Sequence, residues 1–226
     1  VWAAPWAERG NRRDRSVSQI RARGRWASLF RGRSAKVALN GEFGQISQMA
    51  EFTETLTDKH AEMIGRQPIF FTATAAADGR INLSPKGYDA FRVLSPRQVA
   101  YLDLGGSGNE THAHLSVDGR ITIMFCNFDR PALILRIYGK GRAVLPQDAE
   151  WEALAAHFTL LPGTRQIFLI DVESVQTSCG WGVPFMTLER ERDTLQKAHT
   201  QIEPDAWVAR AQGRTTSIDG LPTRPT

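Results

Sequence analysis

Few side chains in this 226-residue sequence are spaced so that they could act together. His112 and His114 lie two apart in a segment of helical character, which sends them to opposite sides of a helix and makes them a poor pair for one metal ion. Cys126 and Cys179 are the only cysteines, too few for a disulfide framework or a structural zinc site. Cys126 closes an apolar strand and reads as a small buried hydrophobe, and nothing can be placed beside Cys179 to activate it as a nucleophile. No metal site is expected. Gly105-Gly106-Ser107-Gly108-Asn109 is more informative, because a glycine-rich turn opening a helix presents free backbone N–H groups at the positive end of a helix dipole. It lacks the Gly-Lys-Ser/Thr ending of a triphosphate loop. Ser84-Pro85-Lys86-Gly87 sets a cation just after a strand. Ser178-Cys179-Gly180-Trp181-Gly182-Val183-Pro184 packs a sulfur and an indole between glycines, a composition suited to close approach of backbone to a planar ligand.

The elements that would position these groups follow from periodicity. Residues 57–64 form a short helical pattern with Thr57 as N-cap, stopped by Gly65. Residues 68–75 are aromatic and β-branched, and Asp78-Gly79 turns the chain so that residues 80–84 return as a partner strand. Residues 99–104 make a third strand, followed by a helix over 109–117 with Ala113 and Leu115 facing inward. Strands are predicted over 120–125, 133–144 and 165–177, with an amphipathic helix over 148–158 between the last two. Residues 187–199 and 205–212 read as helical, and 217–222 as irregular. Strands outnumber helices, and the connections are mostly hairpin length. The fold class expected is therefore mainly β (α+β), a six-stranded antiparallel split β-barrel with peripheral helices, rather than a doubly wound parallel sheet.

Charge divides the chain. The net charge is +4, but residues 1–48 hold nine Arg and one Lys against Glu8, Asp14 and Glu42, so the remainder is mildly acidic. An acidic body has no footprint for a polyanion, and no nucleic-acid partner is expected for it. The leader shows no periodicity and reads as disordered. The first methionine is Met49, where globular composition begins, and the expected natural product is the domain of residues 49–226. The competing reading makes residues 1–48 an Arg-rich nucleic-acid-binding or targeting arm. No apolar run reaches the ~20 residues of a membrane-spanning helix, and no secretory core follows the arginines. A cytoplasmic location fits the cysteine usage best.

Six segments carry a family resemblance in order: FTATAAADGRINLSPKG, VAYLDLGGSGNETHAHL, GRITIMFCNF, ILRIYGKGRAV, VQTSCGWGVP and SIDGLPT. Together they resemble the pyridoxamine 5'-phosphate oxidase-related FMN-binding split-barrel proteins, from about Phe52 to the end. The resemblance implies that the second strand and the turn after the third hold the flavin phosphate and ribityl chain, through Asn82, Ser84, Lys86, Ser107, Asn109 and Thr111. Those residue types suit phosphate binding, with Lys86 as a point charge and Ser84 and Ser107 as hydroxyl donors. Trp181 would flank the flavin from the second subunit of a homodimer. One departure stands out, since Gly108-Asn109 occupies the place of a basic pair in the vitamin-synthesising oxidases.

The resemblance thus implies an FMN-dependent oxidoreductase acting on a small molecule, with no side-chain acid or base required for hydride transfer and no catalytic residue assigned. Two alternatives share the fold: a deazaflavin-dependent reductase, and a non-catalytic flavin-binding or storage protein.

Overall fold

A computed structural model describes residues 50–106, 108–201 and 215–223. The predicted leader and the predicted helix over 205–212 lie outside the described residues. In chain order the elements are β1 (Ala50–Thr53), α1 (Asp58–Gly65), β2 (Phe70–Thr74), β3 (Asn82–Lys86), β4 (Phe91–Ser95), β5 (Gln98–Leu104), α2 (Glu110–Val117), β6 (Arg120–Cys126), β7 (Leu133–Val144), α3 (Trp151–Ala155), β8 (Thr164–Cys179) and α4 (Thr194–Gln201). The strands form one sheet in the order β3-β2-β6-β7-β8-β5-β4, with β1 joined to β8. Each ladder is antiparallel.

This is the expected β-rich split barrel with peripheral helices, but with eight strands among the described residues rather than six. β1 and β4 are the additions. β4 pairs Phe91 with Tyr101 and Val93 with Val99, and β1 pairs Phe52 with Gln176. Both are short strands lying at sheet edges, so neither carries the strong alternation of a strand buried on one face. The long β8 makes both possible. One of its edges carries β7 along nearly its whole length; the other serves β5 with residues 164–171 and β1 with residues 175–178.

Two helices are shorter than their sequence patterns. α3 occupies five residues of the predicted 148–158, burying Trp151, Leu154 and Ala155. α4 begins at Thr194 instead of 187, because residues 185–192 find no surface against which to bury a helical stripe: Phe185, Met186 and Leu188 all stay exposed. α1 starts as the sequence indicates, with Thr57 in a capping box: its hydroxyl accepts from the His60 N–H while the His60 ring accepts from the Thr57 N–H.

The core is an aromatic cluster within the barrel. Phe70 meets Phe91, Tyr101 and Phe125 at centroid separations of 5.1, 5.5 and 5.6 Å, and Tyr101 meets Phe168 at 5.0 Å. Ile123, Leu135, Ile137, Ile167 and Ile170 complete it. β7 shifts register between Tyr138 and Gly139, and a Cβ at Gly139 would collide with the Asp171 carbonyl oxygen. Glycine is required there by close backbone approach rather than by its dihedral freedom.

β3 and β4 end the strand path without pairing to one another. That open seam exposes the inner face of β3 toward β5 and α2, and polar side chains cross it.

Candidate functional site

β3 alternates so that Asn82, Ser84 and Lys86 share one face, half-buried, while Leu83 points out with 66% of its surface exposed. Opposite them, β5 directs Tyr101 and Asp103 inward from the same face. Lys86 Nζ reaches across to Asp103 Oδ1 at 3.0 Å. The other carboxylate oxygen, Oδ2, accepts from Arg165 Nε at 3.0 Å and Nη2 at 2.7 Å, and from Gln166 Nε2 at 2.8 Å. One buried acid therefore organises two cations and an amide. Burial by itself would raise the Asp103 carboxyl, but the charges of Lys86 and Arg165, with hydrogen bonds from Arg165 and Gln166, outweigh it and hold the group below the usual carboxylate range.

The network continues into the glycine turn and α2. Gln166 Nε2 also donates to Asn109 Oδ1 at 2.8 Å, and Gln166 Oε1 faces His112 Nδ1 at 2.9 Å. Burial lowers the His112 pKa, which keeps the ring neutral at pH 7. With both amide hydrogens of Gln166 directed to carboxylate and amide oxygens, its Oε1 accepts, which assigns the proton of His112 to Nδ1. Arg165 Nη1 donates to the Gly108 carbonyl at 3.0 Å. Asn82 Nδ2 donates to Thr74 Oγ1 and Thr111 Oγ1 at 3.2 and 3.1 Å, Ser84 Oγ to Asn82 Oδ1 at 3.1 Å, and Thr74 Oγ1 lies 3.1 Å from His114 Nδ1. The two histidines thus diverge to different partners, one on β8 and one on β2.

Of the residues singled out from the sequence, Asn82, Ser84, Lys86, Asn109 and Thr111 come together at this seam. Ser107 lies outside the described residues. Trp181 stands apart from the network, 67% exposed at a turn just beyond β8 where the Val183 N–H donates to the Gly180 carbonyl. Asp103, Arg165 and Gln166 escape the sequence reading. The one local signal is an acid within the otherwise apolar strand VAYLDL, at a position two residues from Tyr101 and hence on its face. Nothing in the sequence joins Arg165 and Gln166 to it, since they are about 60 residues away.

Two features leave the seam able to receive an anion. Asp103 neutralises one cation of two, so the cluster keeps a net charge of +1. Lys86 has three N–H donors and uses one, and Arg165 has five and uses three; both side chains keep about a quarter of their surface accessible. In addition, Asn109 is the N-cap of α2 but makes no side-chain cap hydrogen bond. Its amide is turned to Gln166 and to the Thr223 carbonyl, 2.9 Å away, so the first-turn N–H groups of α2 lack the side-chain acceptor an Asn there normally supplies. The hydroxyls of Tyr101 and Thr72 are buried without a hydrogen-bond partner of ordinary geometry. Thr72 and Thr111 are nonetheless close enough to Tyr101 to bear on its ionisation, which burial pushes well above the ordinary tyrosine range.

Lys86 also lines an open groove of about 1120 Å³ with Phe71, Pro85, Tyr88, Phe128 and Phe185 among its walls. Tyr88, one of its walls (φ 64°), and the next residue, Asp89 (φ 52°), have backbone in the left-handed region, conformations that cost free energy and persist only where surrounding contacts impose them. Tyr88 is anchored by its hydroxyl to the Arg192 carbonyl.

No helix among the described residues is long and apolar enough to cross a membrane. The family model of pyridoxamine 5'-phosphate oxidase matches residues 56–179. The pyridoxamine 5'-phosphate oxidase family protein ustO of Aspergillus flavus is 40% identical over 151 residues, 65% of this chain and 61% of the relative; the chain thus spans about 61% of that relative's length. Among solved structures, HupZ of Group A Streptococcus is 23% identical over 53% of this chain and 91% of its own, with a TM-score of 0.43. The FAD binding protein from Mycobacterium smegmatis is 14% identical over 55% of this chain and 96% of its own, with a TM-score of 0.39. Matched by its model over more than half of its length, the chain belongs to the pyridoxamine 5'-phosphate oxidase family.

Proposed function

We propose that this protein is an FMN-dependent oxidoreductase acting on a small molecule, with the cofactor phosphate at the β3–α2 seam and the ring system in the adjoining groove. The observation that carries this reading is the position of Lys86, which belongs both to the cationic cluster around Asp103 and to the aromatic-walled groove. A phosphate needs a cation, several donors and freedom from competing capping groups. Lys86 and Arg165 keep unused N–H donors, and the first-turn N–H groups of α2, that of Thr111 among them, carry no side-chain cap; Asn82 and Ser84, whose hydrogens already go to Thr74, Thr111 and Asn82, hold the seam in shape around them.

The bound flavin would supply hydride acceptance or donation. The chain's own residues would bind, orient and exclude water. Asp103 holds Lys86 and Arg165 in fixed positions, and the neutral His112 fixes the amide of Gln166. No acid or base at the groove is needed for hydride transfer, and none is assigned. The exposed Trp181 suits a role across a two-fold interface, covering the flavin of the other subunit in a homodimer. Family membership supports this reading at the level of the fold, and the reaction is argued from the site.

The deciding experiment is an absorption spectrum of the purified protein, with mass identification of the small molecule released on denaturation. FMN bands and FMN mass are expected. A deazaflavin mass would reassign the cofactor. A colourless protein that takes up neither flavin at millimolar concentration would end the proposal.

A further inference from the structure

The carboxy-terminal residues 215–223 form a small closed strap. Thr216 pairs with Pro222, and the Ser217 N–H donates to the Leu221 carbonyl at 2.7 Å. Ser217 and Thr223 are buried although the segment belongs to no sheet or helix. The strap docks at three points around the seam. Asp219 accepts from the Arg80 N–H at 2.7 Å and ion-pairs with the Arg80 guanidinium on the β2–β3 turn. The Ile218 N–H donates to the Glu110 carboxylate at 3.2 Å, at the first residue of α2. The Thr223 carbonyl accepts from Asn109 Nδ2 at 2.9 Å.

The last contact has a chemical consequence. Asparagine is among the strongest N-caps, and in the capping conformation its side-chain oxygen takes up an N–H of the second or third helical residue. Here the Asn109 backbone sits at φ −142° and ψ 43°, whereas Thr57, which does cap its helix, sits at φ −100° and ψ 167°. The Thr223 carbonyl and Gln166 together hold the Asn109 amide away from Thr111 and His112. Without the strap, Gln166 holds it alone. Lys86 and Arg165, which flank this end of α2 with N–H donors still unused and about a quarter of their side-chain surface accessible, are a second sign that it is arranged for an anionic group the chain does not itself supply.

We infer that the strap is a positioning element: docked, it keeps Asn109 from capping α2 and so keeps the first-turn N–H groups available to a ligand phosphate. Undocked, Asn109 becomes a competitor for the same donors. This rests on the reading that the α2 amino-terminus and Lys86 receive the cofactor phosphate.

The test uses the full-length protein with Asp219→Ala, which removes both strap contacts to Arg80, and Arg80→Ala, which removes only the side-chain half. FMN and riboflavin, which lacks the phosphate, are titrated in parallel. Asp219→Ala is expected to weaken FMN about ten-fold, the worth of about one hydrogen bond, with riboflavin unchanged and a smaller FMN effect for Arg80→Ala. In an Asn109→Ala background the Asp219→Ala effect should vanish, because the competing cap is gone. Independently of any flavin, amide exchange at Thr111 and His112 should slow in Asp219→Ala as Asn109 caps them. Equal losses for FMN and riboflavin, additive effects in the double variant, or unchanged exchange at Thr111 and His112 would each overturn the inference. Should the unaltered protein bind neither flavin, the phosphate-site reading fails, and the exchange measurement still decides the strap.

Discussion

Asp103→Asn separates the structural from the ligand-binding role of the seam, because the two respond in opposite directions. In the native protein Asp103 is 2% exposed and accepts from Lys86, Arg165 and Gln166. Breaking a buried ion pair from one side costs about 3–5 kcal/mol. Lys86 and Arg165 keep 24% and 25% of their side-chain surface in water, and asparagine still offers one oxygen as an acceptor, so partial re-solvation reduces the expected loss to about 2–3 kcal/mol. For a domain of this size that corresponds to a fall in Tm of roughly 5–10 °C. Because the folded pKa of Asp103 lies below its unfolded value, the carboxylate's contribution is fully present above about pH 4 and is lost as pH falls through the folded pKa. Urea unfolding of both proteins should therefore show a constant stability gap from pH 7 to about pH 4 that narrows in more acid solution. Meanwhile the cluster charge rises from +1 to +2, and FMN affinity should stay level or increase, with riboflavin unaffected. A variant as stable as the parent at pH 7, or a gap that widens on acidification, would refute the assignment of Asp103 as the organiser of the two cations.

Three further outcomes are expected. Lys86→Ala should weaken FMN binding by about 1.5–3 kcal/mol, the worth of a hydrogen bond to a charged group, with a folded far-UV spectrum retained; unchanged affinity in equilibrium dialysis would remove Lys86 from the site. Trp181→Ala should brighten the fluorescence of bound flavin by removing a stacked indole, and an identical emission yield would put the indole elsewhere. Gly139→Ala should destabilise the fold by at least about 2 kcal/mol in chemical denaturation, since its Cβ would meet the backbone of Asp171 and not a yielding side chain.

The β2–β3 hairpin, the helix capped by Thr57 and the strands over β5–β8 were legible because each rests on local chemistry: a Gly79 at φ +100° in the turn, a capping hydroxyl, alternating branched side chains. β4 was not legible, since FRVLS carries no alternation and is stabilised only by its pairing with β5. The helix predicted from residue 187 failed for the converse reason: residues 187–193 have helical composition but no neighbouring surface to cover them.

At the site, local pattern placed a strand near residues 80–84 and a glycine turn opening α2, because alternation and turn chemistry act over a few residues, while the nearness of the two came only from the family resemblance and the inclusion of Lys86 in β3 only from the fold. The sequence could not reveal that Lys86 is tied to Asp103, that Arg165 and Gln166 arrive from β8 some 60 residues later, or that Thr223 returns to hold Asn109. Those pairings depend on the curling of the open sheet, which brings β3 opposite β5, and on the docking of residues 215–223. Both are decided by the burial of the whole sheet, which no local pattern encodes.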